Sequence, residues 1–385
     1  MNCRSKGKIA VIGVAIGMSI VLLLGVAAVS QGNTLTFWEL PYEDTFPGGI
    51  ALGPDGTVYA AANGGQEVYR LDPANDLFRS WGVGDRPADV TVIDGAVFCT
   101  VENDDAIVYF DPAGLAVSTA VIPFPGVAPW EIHRGADTAA GNIILWIVER
   151  GIPGVLRFEY NPATDAPSAA GQASEQPVVS RTLVVTPQIV QATYERFPYD
   201  ISLMPTPVPL AASRTAAPFT EWALPISDFS VEDIAVADDG TLWISFGTPL
   251  LFRLDPIAGT LQEVETIRNA AIFQGLLPAA DGSIWYGSIA EGSVGHFDPA
   301  LGLSETWRIP GTGEVYDLVF GTDGSIWYTD RDGDAIGNLN PTAGQATIYL
   351  LPADSEPLYL QIDTAGAIWF TAGSGNSIGR LTVAN

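Results

Sequence analysis

Acidic side chains recur at one position of a repeated sequence pattern, where short apolar segments begin. The four are Asp89, Glu131, Asp233 and Asp317. If these segments are the innermost strands of neighbouring sheets, the four carboxylates share one mouth of a central channel. Carboxylate oxygens suit Ca²⁺ or Mg²⁺, and like charges that lie close together favour a bound cation. The alternative is a solvated position, since a chain this acidic also places carboxylates at strand entrances by chance.

The elements that must position these residues follow from an internal repeat. A turn of small residues precedes an apolar and an aromatic residue seven times, as in Asp281-Gly282-Ser283-Ile284-Trp285. The turn glycines are 39, 46, 99, 42, 42 and 42 residues apart. A period near 42 built from short alternating strands and Asp-Gly turns is typical of propeller blades and not of helical solenoids.

Two further markers divide each repeat into four strands. An Asp-Pro or Asn-Pro pair ends the third strand, as at Asp255-Pro256, and an outer strand such as Ser304 to Pro310 follows. The last repeat ends without an outer strand, whereas Leu35 to Pro41 stands alone before the first. The sequence therefore predicts an all-β, seven-bladed β-propeller of four-stranded blades, closed by the N-terminal strand, which completes the last blade.

One gap in the repeat is 57 residues too long. It contains stretches rich in Ala and Pro, and we interpret about residues 163–218 as an inserted loop. An eighth blade is the alternative, because Arg181 to Pro187 could form a strand, but no turn-plus-aromatic marker occurs there.

The first 30 residues read as a targeting segment, a signal peptide or signal anchor. Arg4, Lys6 and Lys8 precede an uncharged apolar run from Ile9 to Val29. We therefore expect residues 31–385 to form the propeller outside the cytoplasm, either secreted or anchored to the membrane only through this segment. All 44 acidic residues lie beyond it, so the exported part has a formal charge of −30. Such an acid excess excludes nucleic acid as a partner. We also expect a monomer.

The last two repeats resemble those of the virginiamycin B (streptogramin B) lyase family. The similar sequence segments are Asp323-Gly324-Ser325-Ile326-Trp327-Tyr328-Thr329-Asp330 in the sixth repeat and Ser377-Ile378-Gly379-Arg380-Leu381 in the seventh. The resemblance covers about residues 35–162 and 219–385 and implies a propeller. It also implies a metal-dependent lyase that opens a cyclic depsipeptide by elimination at its ester.

The family's catalytic histidines are absent. The resemblance places the base two residues before the first apolar residue of an innermost strand, and we call these seven positions the slots. The slots hold Gly48, Ala88, Trp130, Glu232, Gln274, Tyr316 and Leu358, and none is a histidine. A site in the sixth blade would combine Gln274, Glu314, Tyr316 and Asp330. The equivalent carboxylate of the last blade is Glu356, and Trp130 and Tyr359 lie where they could stack on a ligand.

Two functions from different classes follow. One is a binding propeller whose acidic mouth takes a small molecule, a cation or a basic peptide, with Mg²⁺ or Ca²⁺ as the only cofactor considered. The other is a divergent metal-dependent lyase. The missing histidines favour the first, because a tyrosine with an ordinary pKa near 10 is a poor base at neutral pH.

Overall fold

A computed structural model of the chain describes residues 32–384 apart from 115, 168–172, 199–204, 211, 213, 226–229, 266–272 and 290–291. The predicted targeting segment, residues 1–30, lies outside the described residues. The described part of the chain contains no helix long and apolar enough to cross a membrane. It forms seven antiparallel sheets of four or five strands, numbered here as blades 1 to 7. The predicted seven-bladed propeller is confirmed.

Each blade begins with an inner strand at the propeller axis. These are β2 (Pro47–Leu52), β6 (Pro87–Ile93), β10 (Pro129–Arg134), β20 (Val231–Val236), β24 (Phe273–Pro278), β28 (Val315–Phe320) and β32 (Pro357–Ile362). The second strands are β3 (Val58–Ala62), β7 (Ala96–Val101), β11 (Ile143–Glu149), β21 (Leu242–Phe246), β25 (Ile284–Ser288), β29 (Ile326–Asp330) and β33 (Ile368–Ala372). Inner strands of neighbouring blades contact one another around the whole ring, from β2 through β32 and back to β2.

The third and outer strands complete each blade. The third strands are β4 (Glu67–Asp72), β8 (Ala106–Phe110), β12 (Gly154–Tyr160), β22 (Thr248–Asp255), β26 (Ser293–Asp298), β30 (Ala335–Asn340) and β34 (Ser377–Thr382). The outer strands are β5 (Leu77–Gly82), β9 (Val117–Val121), β19 (Phe219–Ala223), β23 (Thr260–Glu265), β27 (Leu303–Arg308), β31 (Gln345–Leu350) and, in blade 7, β1 (Thr34–Glu39). Strand β1 pairs with β34, so the N-terminal strand closes the ring as predicted.

The segment interpreted as an inserted loop contains six short strands, which we call the girdle. They are β13 (Ala173–Pro177), β14 (Ser180–Val184), β15 (Gln188–Gln191), β16 (Thr193–Pro198), β17 (Val208–Pro209) and β18 (Arg214–Ala216). In this order they pair with the outer strands of blades 1, 7, 6, 5, 4 and 3. The chain thus leaves blade 3 after β12, travels around the ring against the order of the blades, and returns to blade 3 as β19.

The girdle forms because an outer strand has unpaired backbone N–H and C=O groups along its free edge. An extended segment that pairs with this edge satisfies those groups, and its inward side chains pack against the blades. Leu183 and Val185 pack against the core between blades 6 and 7, and Val190 and the buried Ala192 pack against the core between blades 5 and 6. No eighth sheet occurs among the described residues.

Candidate functional site

A β-bulge at the start of every inner strand positions the candidate residues. The pairing of each inner strand with its second strand shifts register at this place, for example between Pro87 and Val90 and between Pro129 and Ile132. A bulge inserts one extra residue and re-aims the side chains beside it. Asp89, Glu131 and Asp317 lie at these bulges, and Asp233 lies directly after one.

The four predicted acids come together in the axial channel. The channel encloses about 710 Å³, and Asp89, Glu131, Asp233 and Asp317 all line it. Its lining continues along the inner strands to the turns that join first and second strands, including Pro54 and Thr364. We call this end, where the lining residues are partly exposed, the open mouth.

Aromatic side chains fill the opposite end of the channel. Tyr359 of blade 7 reaches across the axis, and its hydroxyl donates a hydrogen bond of 3.0 Å to Oε1 of Glu131 in blade 3. The ring of Tyr316 packs edge-on against Tyr359, with centroids 5.6 Å apart. The guanidinium of Arg150 lies 3.6 Å from the centre of the Trp130 ring. The slot residues Trp130 and Tyr316 are buried at this end of the channel.

Three of the acids also join neighbouring blades. Asp89 accepts a hydrogen bond from the backbone N–H of Ile132 at 3.0 Å. Asp233 and Asp317 accept equivalent bonds from Leu276 at 2.5 Å and Leu360 at 2.9 Å. Each acid belongs to an even-numbered blade and its donor to the next blade. These three carboxyls therefore hold the inner strands of neighbouring blades together. Glu131 accepts no backbone hydrogen bond of this kind from another blade.

Glu131, His133 and Asp233 form a compact group of potential metal ligands. One ligand atom from each lies within 4.8 Å of the others. Glu131 and His133 are two residues apart in β10, so their side chains leave the same face of the strand. Oε2 of Glu131 and Nε2 of His133 face each other at 3.8 Å, and neither has a hydrogen-bond partner. From the sequence, His133 could face the channel beside Glu131 and Arg134, although an isolated strand histidine is more often structural. The structure places it with Glu131 and Asp233, and its two-residue spacing from Glu131 is the signal for that placement.

Burial dominates the electrostatics of the channel. It raises the pKa of Asp89 to about 6, of Glu131 to about 7 and of Asp317 to about 8. The pKa of Asp233 lies well above its ordinary value, again because of burial and then because of the neighbouring Glu131 charge. The metal-free channel therefore holds several protonated carboxyls at neutral pH, and a bound cation would favour their ionised forms.

Only two of the four residues suggested by the lyase resemblance lie in the lining of the channel. Gln274 and Tyr316 line the channel, whereas Glu314 and Asp330 lie outside its lining. Oδ1 of Asp330 accepts backbone hydrogen bonds from Gly313, Glu314 and Gly333, and Glu314 forms an ion pair with Arg331 at 2.6 Å. Their carboxylates therefore hold local turns.

Tyr316 is also unsuited to act as a base. Burial raises the pKa of its hydroxyl to about 12, so the phenolate is scarce at neutral pH. The predicted ligand contact Glu356 likewise lies outside the channel lining, where it accepts a hydrogen bond of 2.6 Å from Ser374.

Comparisons with known proteins support the fold. Residues 259–385 match the model of the Virginiamycin B lyase family. A streptogramin B lyase structure is 19% identical, covers 92% of this chain and 99% of its own, and superposes with a TM-score of 0.65. A catalytically inactive virginiamycin B lyase from Staphylococcus aureus with quinupristin is 18% identical, covers 91% of this chain and 99% of its own, and has the same TM-score.

More distant propellers match as well. The extracellular domain of a one-component system from B. thetaiotaomicron is 13% identical, with a TM-score of 0.56. That match covers 91% of this chain and 40% of the other. No curated protein sequence matches the chain significantly. The chain is thus a propeller like that of the virginiamycin B lyases, and the resemblance found in its last two repeats is confirmed.

Proposed function

We propose that this protein is an extracytoplasmic binding propeller that takes a cationic ligand, a metal ion or a basic group, through the open mouth of its axial channel. One observation carries the proposal: four carboxyls from four blades line one cavity on the propeller axis. Burying several acids together is costly unless a proton or a cation compensates them. A cation of the right size relieves this cost for all of them at once.

The charged groups along the channel agree with a cationic ligand. Besides the four acids, the lining contains Asp363, and its basic members are His133 and Arg134. Arg134 is itself engaged by Asp137 at 2.8 Å. The field inside the channel attracts positive charge once these carboxyls ionise, and a cation that binds there replaces their protons. The proposed location outside the cytoplasm rests on the N-terminal basic and apolar segments, residues 1–30.

Calorimetric titration of the purified full-length protein tests this function. We expect heat of binding with Mg²⁺, Ca²⁺, a transition-metal ion or a short arginine-rich peptide, and we expect it to weaken in an Asp233→Asn/Asp317→Asn variant. A Glu39→Gln/Glu43→Gln variant removes the same charge at exposed positions outside the channel lining and serves as the control. Equal affinities in all three proteins would refute the proposal.

A parallel assay separates binding from elimination. The protein is incubated with a streptogramin B and Mg²⁺, and the products are examined by mass spectrometry. We expect no ring-opened product, because no histidine occupies a slot and Tyr316 is held in its neutral form. Formation of that product would show that the protein is a lyase.

A further inference from the structure

The geometry of the channel points to a more specific ligand, and this inference rests on the proposed function. We infer that Glu131, His133 and Asp233 bind a divalent transition-metal ion, such as Zn²⁺ or Mn²⁺, through one imidazole nitrogen and two carboxylates. Ca²⁺ and Mg²⁺ prefer sets made only of oxygen atoms, whereas imidazole is a favoured ligand of Zn²⁺ and its neighbours. Coordination by the imidazole of His133 therefore favours a transition-metal ion over Ca²⁺ or Mg²⁺.

Buried ligand atoms of Glu131 and His133 face each other without a donor between them. Glu131 is buried, with 4% of its surface exposed, and no N–H or O–H group donates to its Oε2 atom. Its carboxyl group lies within hydrogen-bonding contact of the Asp233 carboxyl, so this buried pair needs a shared proton or a cation between its oxygens. A buried carboxylate oxygen in this state loses its hydration without compensation. Nε2 of His133, 3.8 Å away, has no partner either. A metal bonded to both atoms at about 2.0–2.2 Å fits between them and satisfies both.

The four channel acids differ in whether both of their carboxylate oxygens already accept backbone hydrogen bonds. Both oxygens of Asp89 accept backbone N–H bonds, from Val90 and Ile132, and both oxygens of Asp317 do the same with Leu318 and Leu360. Those two acids are therefore already used in joining the blades. Among the described residues, no backbone N–H donates to the carboxyl of Glu131 and only that of Leu276 donates to Asp233, while these two carboxyls contact each other.

A hydrogen bond from Tyr359 orients the carboxylate of Glu131 toward His133. The hydroxyl of Tyr359 donates to Oε1 of Glu131 at 3.0 Å and leaves Oε2 facing His133. A hydrogen bond of this kind to a ligating carboxylate fixes its orientation. With three protein ligands, the ion keeps a coordination position toward the channel, where water or a small anion can bind.

The test compares two histidine variants of the full-length protein. Titration with Co²⁺, followed by visible absorption, reports direct coordination, and calorimetry with Zn²⁺ and Mn²⁺ reports affinity. We expect His133→Ala to remove the Co²⁺ absorption and to weaken Zn²⁺ binding by about tenfold or more. His296→Ala is the matched control, because this second histidine pairs with Glu305 outside the channel and its loss should change neither signal.

The outcomes distinguish the inference from the proposed function. Binding of Zn²⁺ that is equally strong in wild type and His133→Ala would overturn the inference. Binding of only Ca²⁺, Mg²⁺ or a basic peptide would do so as well, although the proposed function would stand. Absence of binding by every cation and peptide would overturn both. Thermal melting of each variant without metal verifies that the fold is intact.

Discussion

At the scale of single residues, the channel acids divide into two chemical roles. Asp317 illustrates the structural role, since its carboxyl bridges the N–H of Leu318 in its own strand and that of Leu360 in the next blade. Glu131 instead accepts a hydrogen bond from a hydroxyl across the channel, and its carboxyl contacts that of Asp233. Residues at equivalent repeat positions thus have different roles, because their hydrogen-bond donors differ.

The structural role predicts the effect of removing Asp317. In Asp317→Ala, two backbone N–H groups lose their acceptor, which costs about 1–3 kcal/mol of unfolding free energy for each group that stays buried and unpaired. Asp317→Asn keeps one carbonyl oxygen and should lose less. Urea unfolding at pH 6 measures both, since Asp317 is still protonated in the folded state at that pH. Equal stability of Asp317→Ala and wild type would contradict the bridging role.

The buried Glu149, which lies outside the channel, should make the unfolding free energy depend on pH. Its side chain is fully buried at the end of β11, and burial together with the nearby Glu221 charge raises its pKa to about 9. Between its ordinary pKa of 4.5 and about 9, the folded state holds a proton that the unfolded state releases. Stability therefore falls with rising pH across this window, by about 1.4 kcal/mol per unit at most.

Glu149→Gln removes this titration, so its unfolding free energy should fall less steeply than that of wild type from pH 5 to pH 9. The difference between the two proteins should be smallest at pH 5 and largest at pH 9. A constant cost of burying the amide would shift the variant's curve without changing its slope. Parallel curves, measured by urea unfolding at pH 5, 7 and 9, would show that Glu149 ionises normally in the folded protein.

At the scale of elements, the girdle joins blades that are distant in sequence. Ser174 of β13 lies opposite Ser80 of β5, and their hydroxyl oxygens are 3.0 Å apart. Thr182 of β14 likewise meets Thr36 of the N-terminal strand at 3.0 Å. One continuous segment therefore fastens blade 1 and the closing strand of blade 7.

A disulfide tests where the girdle lies. We expect Ser80→Cys/Ser174→Cys to oxidise without catalysis and to raise the melting temperature, since the crosslink closes a long loop and typically adds about 2–4 kcal/mol. The control pair Ser80→Cys/Ser180→Cys should stay reduced, because Ser180 lies opposite Trp38 on blade 7. Free-thiol counts and reducing and non-reducing gels report the result. Oxidation of the control pair alone would refute the placement.

These elements also show what could be predicted from the sequence. The blades were predictable because Asp-Gly turns such as Asp281-Gly282 are local signals that recur at a fixed period. The girdle was not, because its strands have no turn marker and pair with partners far away, as Gln188 does with Ile348. An exposed edge strand has a weak pattern, since only a few of its side chains pack inward.

The site was predictable to a similar extent. Repeat register alone placed the four acids at one depth of the channel. The contact of Tyr359 with Glu131 spans 228 residues, and no periodic pattern indicates it. Alternation within a single strand allows His133 to face the channel beside Glu131, but nothing in the sequence indicates that it approaches Asp233 of the next blade.

At the scale of the whole molecule, exposed acids and buried acids affect the free energy of unfolding in different ways. All 44 acidic residues count toward the formal net charge of −27, and mutual repulsion among those that are exposed weakens with salt. The channel acids Asp89 and Asp317 are different, because burial raises their pKa to about 6 and about 8. As pH rises from the ordinary pKa of an aspartate to the raised pKa in the folded state, each of these carboxyls stabilises the folded state less.

We therefore expect the melting temperature of the metal-free protein to fall between pH 5 and pH 8, and added NaCl to recover only part of the loss. Salt screens the exposed charges, but the buried carboxyls are shielded from it and must still ionise without a counter-ion. A metal ion bound at Glu131 and Asp233 supplies that counter-ion and should recover stability that salt does not. Scanning calorimetry at both pH values, with and without NaCl and Zn²⁺, measures the two contributions. Full recovery by NaCl alone would mean that the channel acids are hydrated and ionise like those of the surface.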